Sequence, residues 1–176
     1  MTPLETARVA AATPADRWPA RANARFTAAA TGLQAPFLLL VRLYWGWQFM
    51  VTGWGKLHSL PKVTAFFASL GIPFPGLNAP FVAGLEFAGG LLLILGLASR
   101  PVALLLTADM LVAFLTADRE ALFSVLRDPD KFYAAAPYTF LFASVIVLLF
   151  GAGALSLDRI LQWWNRRTPV KHITMP

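Results

Sequence analysis

The residues from Ala136 to Leu155, APYTFLFASVIVLLFGAGAL, contain no charged side chain. As a helix rising about 1.5 Å per residue, a run of that length reaches across the roughly 30 Å hydrocarbon core of a bilayer. Three more segments read the same way. The first runs from about Ala35 to His58, with Pro36 suited to a helix start and an aromatic group of Tyr44, Trp45, Trp47 and Trp54. The second and third, about Pro80 to Ala98 and Pro101 to Ala117, are separated only by Ser99 and Arg100, which predicts an antiparallel hairpin. Across 176 residues, 57% hydrophobic content and 14% charged content leave too little polar surface for a soluble domain of this size. The expected fold is an all-α integral membrane protein, a bundle of four transmembrane helices with short interfacial helices.

The charges predict how such a bundle sits. Residues 1–34 are rich in Ala, Arg, Thr and Pro, hold no apolar core long enough for a signal peptide, and read as a mobile basic tail. Residues 35–158 form the transmembrane domain. Residues 159–176 form a basic amphipathic segment, its helix started by Ser156 and Asp158 and carrying Trp163 and Trp164 at the interface. Nine basic residues against three acids fall on the side of the tail, and five against four on the other. The basic side is expected to be cytoplasmic, with both chain ends there, in a multi-pass cell-membrane protein. Because the surplus charge sits at helix ends and tails, it reads as membrane anchoring and not as a nucleic-acid surface.

The loops opposite the tail carry structure of their own. Val63, Phe66, Phe67 and Leu70 recur at helical spacing, as do Leu122, Val125 and Leu126 more briefly. They read either as a lid over a cavity or as interfacial helices that seal the bundle. Gly84-x-x-x-Ala88, together with Gly46, Gly53 and Gly96, marks places where helices could approach closely.

Chemistry is expected at the charges placed within the spans, since an ionisable residue near the bilayer midplane costs at least about 2.5–3.5 kcal/mol and needs compensation. Arg42 and Asp109 lie at similar depth, roughly 9–12 Å from the tail-side ends of their helices, and are expected to pair. Glu86 and Gln48 lie level with each other, roughly 18–20 Å from that side. Arg42, Trp45, Gln48, Glu86 and Asp109 therefore form a candidate intramembrane pocket, with Arg42 and Gln48 as donors and Glu86 and Asp109 as acceptors or proton sites. The indoles of Trp45, Trp47 and Trp54 would wall it around a flat ligand such as a quinone. The alternative is that these groups only tie helices together. With no cysteine, the chain has no thiol chemistry or thiolate-held cluster of its own, and His58 and His172 fall on opposite sides of the membrane. No intrinsic cofactor and no metal site is expected.

Several patterns carry a resemblance. Arg42-Leu-x4-Gln48-Phe, Gly53-x2-Lys56-Leu, Phe66-Phe-Ala-Ser-Leu-Gly-Ile-Pro, the glycine-rich run from Gly84 through Glu86, and Gly151-Ala-Gly-Ala-Leu-Ser-Leu-Asp158, in that order, resemble the DoxX family over about Phe37 to Ile160. The resemblance implies a multi-pass subunit linked to quinone or redox chemistry, named after subunits of a membrane thiosulfate:quinone oxidoreductase, with Arg42, Lys56 and Glu86 matching the family's polar pattern. It does not extend to Asp109 or to the tail. Three readings follow: a quinone-binding or non-catalytic subunit of a membrane oxidoreductase, with membrane or peripheral partners carrying the redox centre; a carrier or binder of small lipophilic or anionic molecules; or a scaffold without catalysis. Self-association into a homo-oligomer is compatible with each.

Overall fold

A computed structural model describes residues 14–165. The expected site of His172, the end of the basic C-terminal segment and the start of the tail lie outside the described residues.

The chain is a helical membrane bundle. Helix α1 (Pro14–Leu57) begins well before the Ala35 start expected for the first span, because the Ala-rich stretch ahead of it favours helix wherever no packing opposes it. It passes from one compact unit, ending at Ala35, into a second that starts at Pro36 and holds everything described below. Next come α2 (Leu60–Ser69), α3 (Pro75–Leu95), α4 (Ser99–Thr116), α5 (Arg119–Phe123), α6 (Pro129–Ala134), α7 (Ala136–Phe150) and α8 (Leu157–Asn165). Within α1, residues 22–57 are long and apolar enough to cross a membrane, as are α3 and α4, and α7 is a shorter apolar helix. These helices are apolar on nearly every face: Leu40, Trp47, Leu104, Leu115 and Leu149 are exposed while Phe49, Leu93, Leu106 and Val147 pack the interior. An apolar outside suits lipid as its solvent.

The fourth span departs from expectation. Helix α7 stops at Phe150, at about 22 Å of rise, and Gly151 (φ +75°) turns the chain into an irregular stretch up to Ser156. Non-helical backbone at this depth persists only where its polar groups find partners inside the protein.

Close contact between α1 and α3 sets the bundle's geometry. A Cβ on Gly90 would lie 2.5 Å from both the Gly46 carbonyl oxygen and the Met50 nitrogen, and one on Gly46 would lie 2.8 Å from the Gly90 carbonyl oxygen. Gly53 meets the backbone of Ala83 and Phe87 in the same way. The small residue that matters on α3 is therefore Gly90 and not Gly84, around which nothing lies within 4 Å. Helix α4 packs most extensively on α7. There the Thr107 hydroxyl donates to Ser144 Oγ at 3.0 Å, and both residues are buried.

Candidate functional site

Three ionisable side chains meet toward the Lys56 end of α1, away from the α3–α4 turn. Glu86, on α3, is buried to 2% exposure, and Lys56, in the last turn of α1, donates from Nζ to Glu86 Oε1 at 2.5 Å. Asp109, on α4, lies within electrostatic and hydrogen-bonding reach of Glu86 and within electrostatic reach of Lys56. The α3–α4 hairpin brings the two carboxyls together, since Glu86 lies ten residues before Gly96 and Asp109 ten residues after Ser99, both roughly 15 Å from the turn. The close approach at Gly53 carries Lys56, one turn farther along α1, to the same level. Glu86 Oε2 and Asp109 Oδ2 are buried without a hydrogen-bond partner among the described residues. Buried carboxylate oxygens are rarely left so unless something else is to occupy the space beside them.

That space is a cavity of about 540 Å³ with Lys56, Glu86 and Asp109 in its lining. The rest of its wall is almost entirely apolar: Val63, Phe66 and Phe67 from α2 with Leu70 just after it, Phe81, Val82 and Leu85 from α3, and Leu105, Val112 and Ala113 from α4. The expected apolar face of α2 thus covers a cavity. Its size falls in the range of small-molecule sites. Among the described residues, no group of three or more His, Cys, Asp or Glu is arranged to hold a metal ion.

The remaining residues of the expected pocket lie elsewhere. Arg42 does not pair with Asp109. Its guanidinium, 1% exposed, donates instead to backbone carbonyls: Leu93 at 3.0 Å, Leu155 at 3.1 Å, Ala152, and Ile94 at the 3.5 Å limit. It ties the C-terminal end of α3 to the irregular stretch after α7, where carbonyls have lost their helical partners. Depth as well as face separates the two: Arg42 sits level with the α3–α4 turn, against the ends of α3 and α7, whereas Asp109 lies roughly 15 Å from that turn, beside Glu86 and Lys56. Gly96 makes the room, with φ +68° and a hypothetical Cβ only 2.8 Å from Arg42 Cζ. Asp158 completes the clasp, its carboxylate accepting from Ala98 N at 2.8 Å and Ser99 N at 3.0 Å, and so capping α4 from another part of the chain.

Trp45 and Gln48 are half-buried and do not line the cavity. Trp45 packs edge-on against Phe140 at 5.2 Å. Trp47 and Trp54 are exposed, and Trp54 lies against His58 and Phe87. The expected indole walls are thus replaced by phenylalanines of α2 and α3. Lys56 falls within the first span and matches the family's polar pattern, but the expected pocket, built from depth, does not include it. The lysine four residues after Thr52 and three after Gly53 was the available signal, since a glycine contact with α3 fixes which side of that helix the lysine faces.

Comparisons with known proteins agree with this architecture. The DoxX family model matches residues 37–119, a stretch containing Arg42, Lys56, Glu86 and Asp109. The chain is 32% identical over 120 residues to "Putative oxidoreductase CatD" of Bacillus subtilis (strain 168), covering 68% of this chain and 83% of that protein. It is 28% identical over 125 residues to "Inner membrane protein YqjF" of Escherichia coli (strain K12), covering 70% and 91%. No solved structure matches. The chain belongs to the DoxX family.

Proposed function

We propose that this protein binds a lipophilic molecule with a polar head, of the quinone class, in the cavity above Lys56, Glu86 and Asp109, and serves as a membrane subunit of an oxidoreductase whose redox centre a partner carries. The observation that supports this most is the pair of unpartnered carboxylate oxygens, Glu86 Oε2 and Asp109 Oδ2, at the polar floor of an apolar cavity. Carboxylates buried only for cohesion are ordinarily satisfied within their cluster, whereas here one oxygen of each has no hydrogen-bond partner among the described residues.

The residues fit a quinone. The Lys56 ammonium can donate to a ring carbonyl, and the carboxyls can accept from a ring hydroxyl. The phenyl faces of Phe66, Phe67 and Phe81 suit a flat ring, and the apolar remainder suits its tail. A bound quinone would supply two-electron, two-proton chemistry that no side chain of this cysteine-free protein provides. This chain's own part is to bind the head through Lys56, Glu86 and Asp109 and to exclude water from it. The oxidoreductase name carried by the Bacillus relative supports the redox assignment. The excess of basic residues on the tail side supports cytoplasmic termini, which would place the cavity in the outer half of the bilayer.

The second reading, a carrier of lipophilic molecules, is favoured by the reach of the same cavity to α2. Native mass spectrometry of the protein extracted from its own membrane separates the two. Co-purified quinone together with an oxidoreductase subunit supports the redox assignment. Retention of another lipophilic molecule without such a partner supports the carrier, and an empty chain with nothing bound overturns both.

A further inference from the structure

A second cleft, about 530 Å³, lies at the opposite end of the bundle, between the start of α4, the end of α7 and α8. Its chemistry is unlike that of the first. Arg100, Arg159, Gln162, Ser99 and Asp158 line it. Asp158 is already committed to the two backbone N–H groups at the start of α4, so its charge is offset there. The two guanidinium groups therefore leave the cleft net positive. Among the described residues, Arg100 donates only to the Leu149 carbonyl, at 3.4 Å. Ser99 lines the cleft, and its hydroxyl is buried with no hydrogen-bond partner among the described residues. A buried donor left open beside two arginines is the pattern of an anion site.

The surroundings indicate which anion. Phe150 lines the cleft, and from it the lipid-facing surface continues over Leu149 and Leu104, all three exposed. Helix α8 presents Ile160, Leu161 and Trp164 outward beside it, as an amphipathic helix does at a bilayer surface. An anion seated here would lie at headgroup depth with an apolar seam leading away from it. We propose that the cleft binds the phosphate of an anionic phospholipid, with Arg100 and Arg159 on its oxygens, Gln162 and Ser99 as further donors, and the acyl chains along the α4–α7 seam. Basic pockets between transmembrane helices hold phospholipid headgroups in this manner. The cleft also lies against the Arg42–Asp158 clasp, so an occupied site would brace the irregular stretch after α7.

The test uses the full chain, purified in mild detergent and stripped of lipid, with its unfolding temperature followed on titration with short-chain phosphatidylglycerol, short-chain phosphatidylcholine, or inorganic phosphate at constant ionic strength. Phosphatidylglycerol is expected to raise the unfolding temperature saturably, with at least a tenfold lower half-saturation concentration than phosphatidylcholine. Arg159→Glu, a charge reversal on an exposed side chain, should raise that concentration at least tenfold while leaving the unfolding temperature without lipid unchanged. Arg100→Gln should do the same by a smaller factor. An equal response of Arg159→Glu and the unsubstituted protein, or no response to phosphatidylglycerol, overturns the site. A saturable response to inorganic phosphate that equals that to phosphatidylglycerol and vanishes in Arg159→Glu overturns the lipid as its source.

Discussion

Replacing Arg42 by Met should weaken the fold and leave the cavity's chemistry intact. The side chain is close in volume but has no donors. Among the described residues, the carbonyls of Ala152 and Leu155 accept from no group other than Arg42, whereas Leu93 O also accepts from Gly96 N. An orphaned carbonyl costs up to about 1–3 kcal/mol, most for that of Ala152, which is buried, and less for that of the exposed Leu155. Relief from burying a guanidinium offsets part of that, which leaves a net loss of about 2 kcal/mol. For a chain of this size that corresponds to an unfolding temperature lower by about 4–8 °C. Intrinsic fluorescence is the suitable probe, since the chain has six tryptophans and no cysteine for thiol-reactive dyes. Arg42→Lys, a compact charge that cannot fork between two strands of backbone, should recover about half of the loss. Below its unfolding temperature, Arg42→Met should bind lipophilic ligand as the unsubstituted protein does. An unchanged unfolding temperature combined with lost ligand binding would refute this account of Arg42 and restore it to the ligand site.

Other substitutions test other joints. Gly90→Leu should separate α1 from α3 and prevent accumulation of folded protein in the membrane, whereas Gly84→Leu should be tolerated; fluorescence-detected size exclusion distinguishes the two. Thr107→Val removes the α4–α7 hydroxyl bond and should cost about 0.6 kcal/mol, a fall in unfolding temperature of about 1–3 °C. The exposed Glu120–Lys131 pair, 2.8 Å apart, holds the Glu120 carboxyl below its ordinary 4.5 through the lysine's hydrogen bond and raises Lys131 above its ordinary 10.5. Its small stabilisation is thus complete between those two values, lost as pH falls through the lowered carboxyl value and lost again as pH rises through the raised ammonium value. Thermal unfolding of Glu120→Gln compared with the unsubstituted protein should differ by less than about 1 °C at pH 7, with the difference vanishing at low pH.

Apolar runs and short links made the spans legible, because nothing but a bilayer accommodates them. The face of α2 was equally plain from Val63, Phe66, Phe67 and Leu70. Where depth arithmetic was applied to Glu86 and Asp109 separately, it missed that a tight hairpin sets them level; counting outward from the turn on both sides brings them together. Arg42 was harder to place. Its partners are backbone carbonyls freed where α3 ends at Gly96 and α7 ends at Gly151, and a carbonyl leaves no mark of its own in a sequence. The glycines at these two helix ends, both at positive φ, were the indirect sign. The early start of α1 was missed because an Ala-rich stretch with scattered Pro and Arg reads equally as tail or helix until the backbone is seen.

The cavity's role as a ligand site is the claim on which the functional account stands. Its most direct test is binding of a short-chain quinone to purified protein, measured by isothermal titration, before and after the cavity is filled by Ala113→Phe, a wall residue that leaves Lys56, Glu86 and Asp109 untouched. Saturable uptake of one quinone per chain, lost in Ala113→Phe with its unfolding temperature preserved and weakened at least tenfold in Glu86→Gln, is the expected result. Uptake unaffected by filling the cavity, or none in the unsubstituted protein, would contradict it.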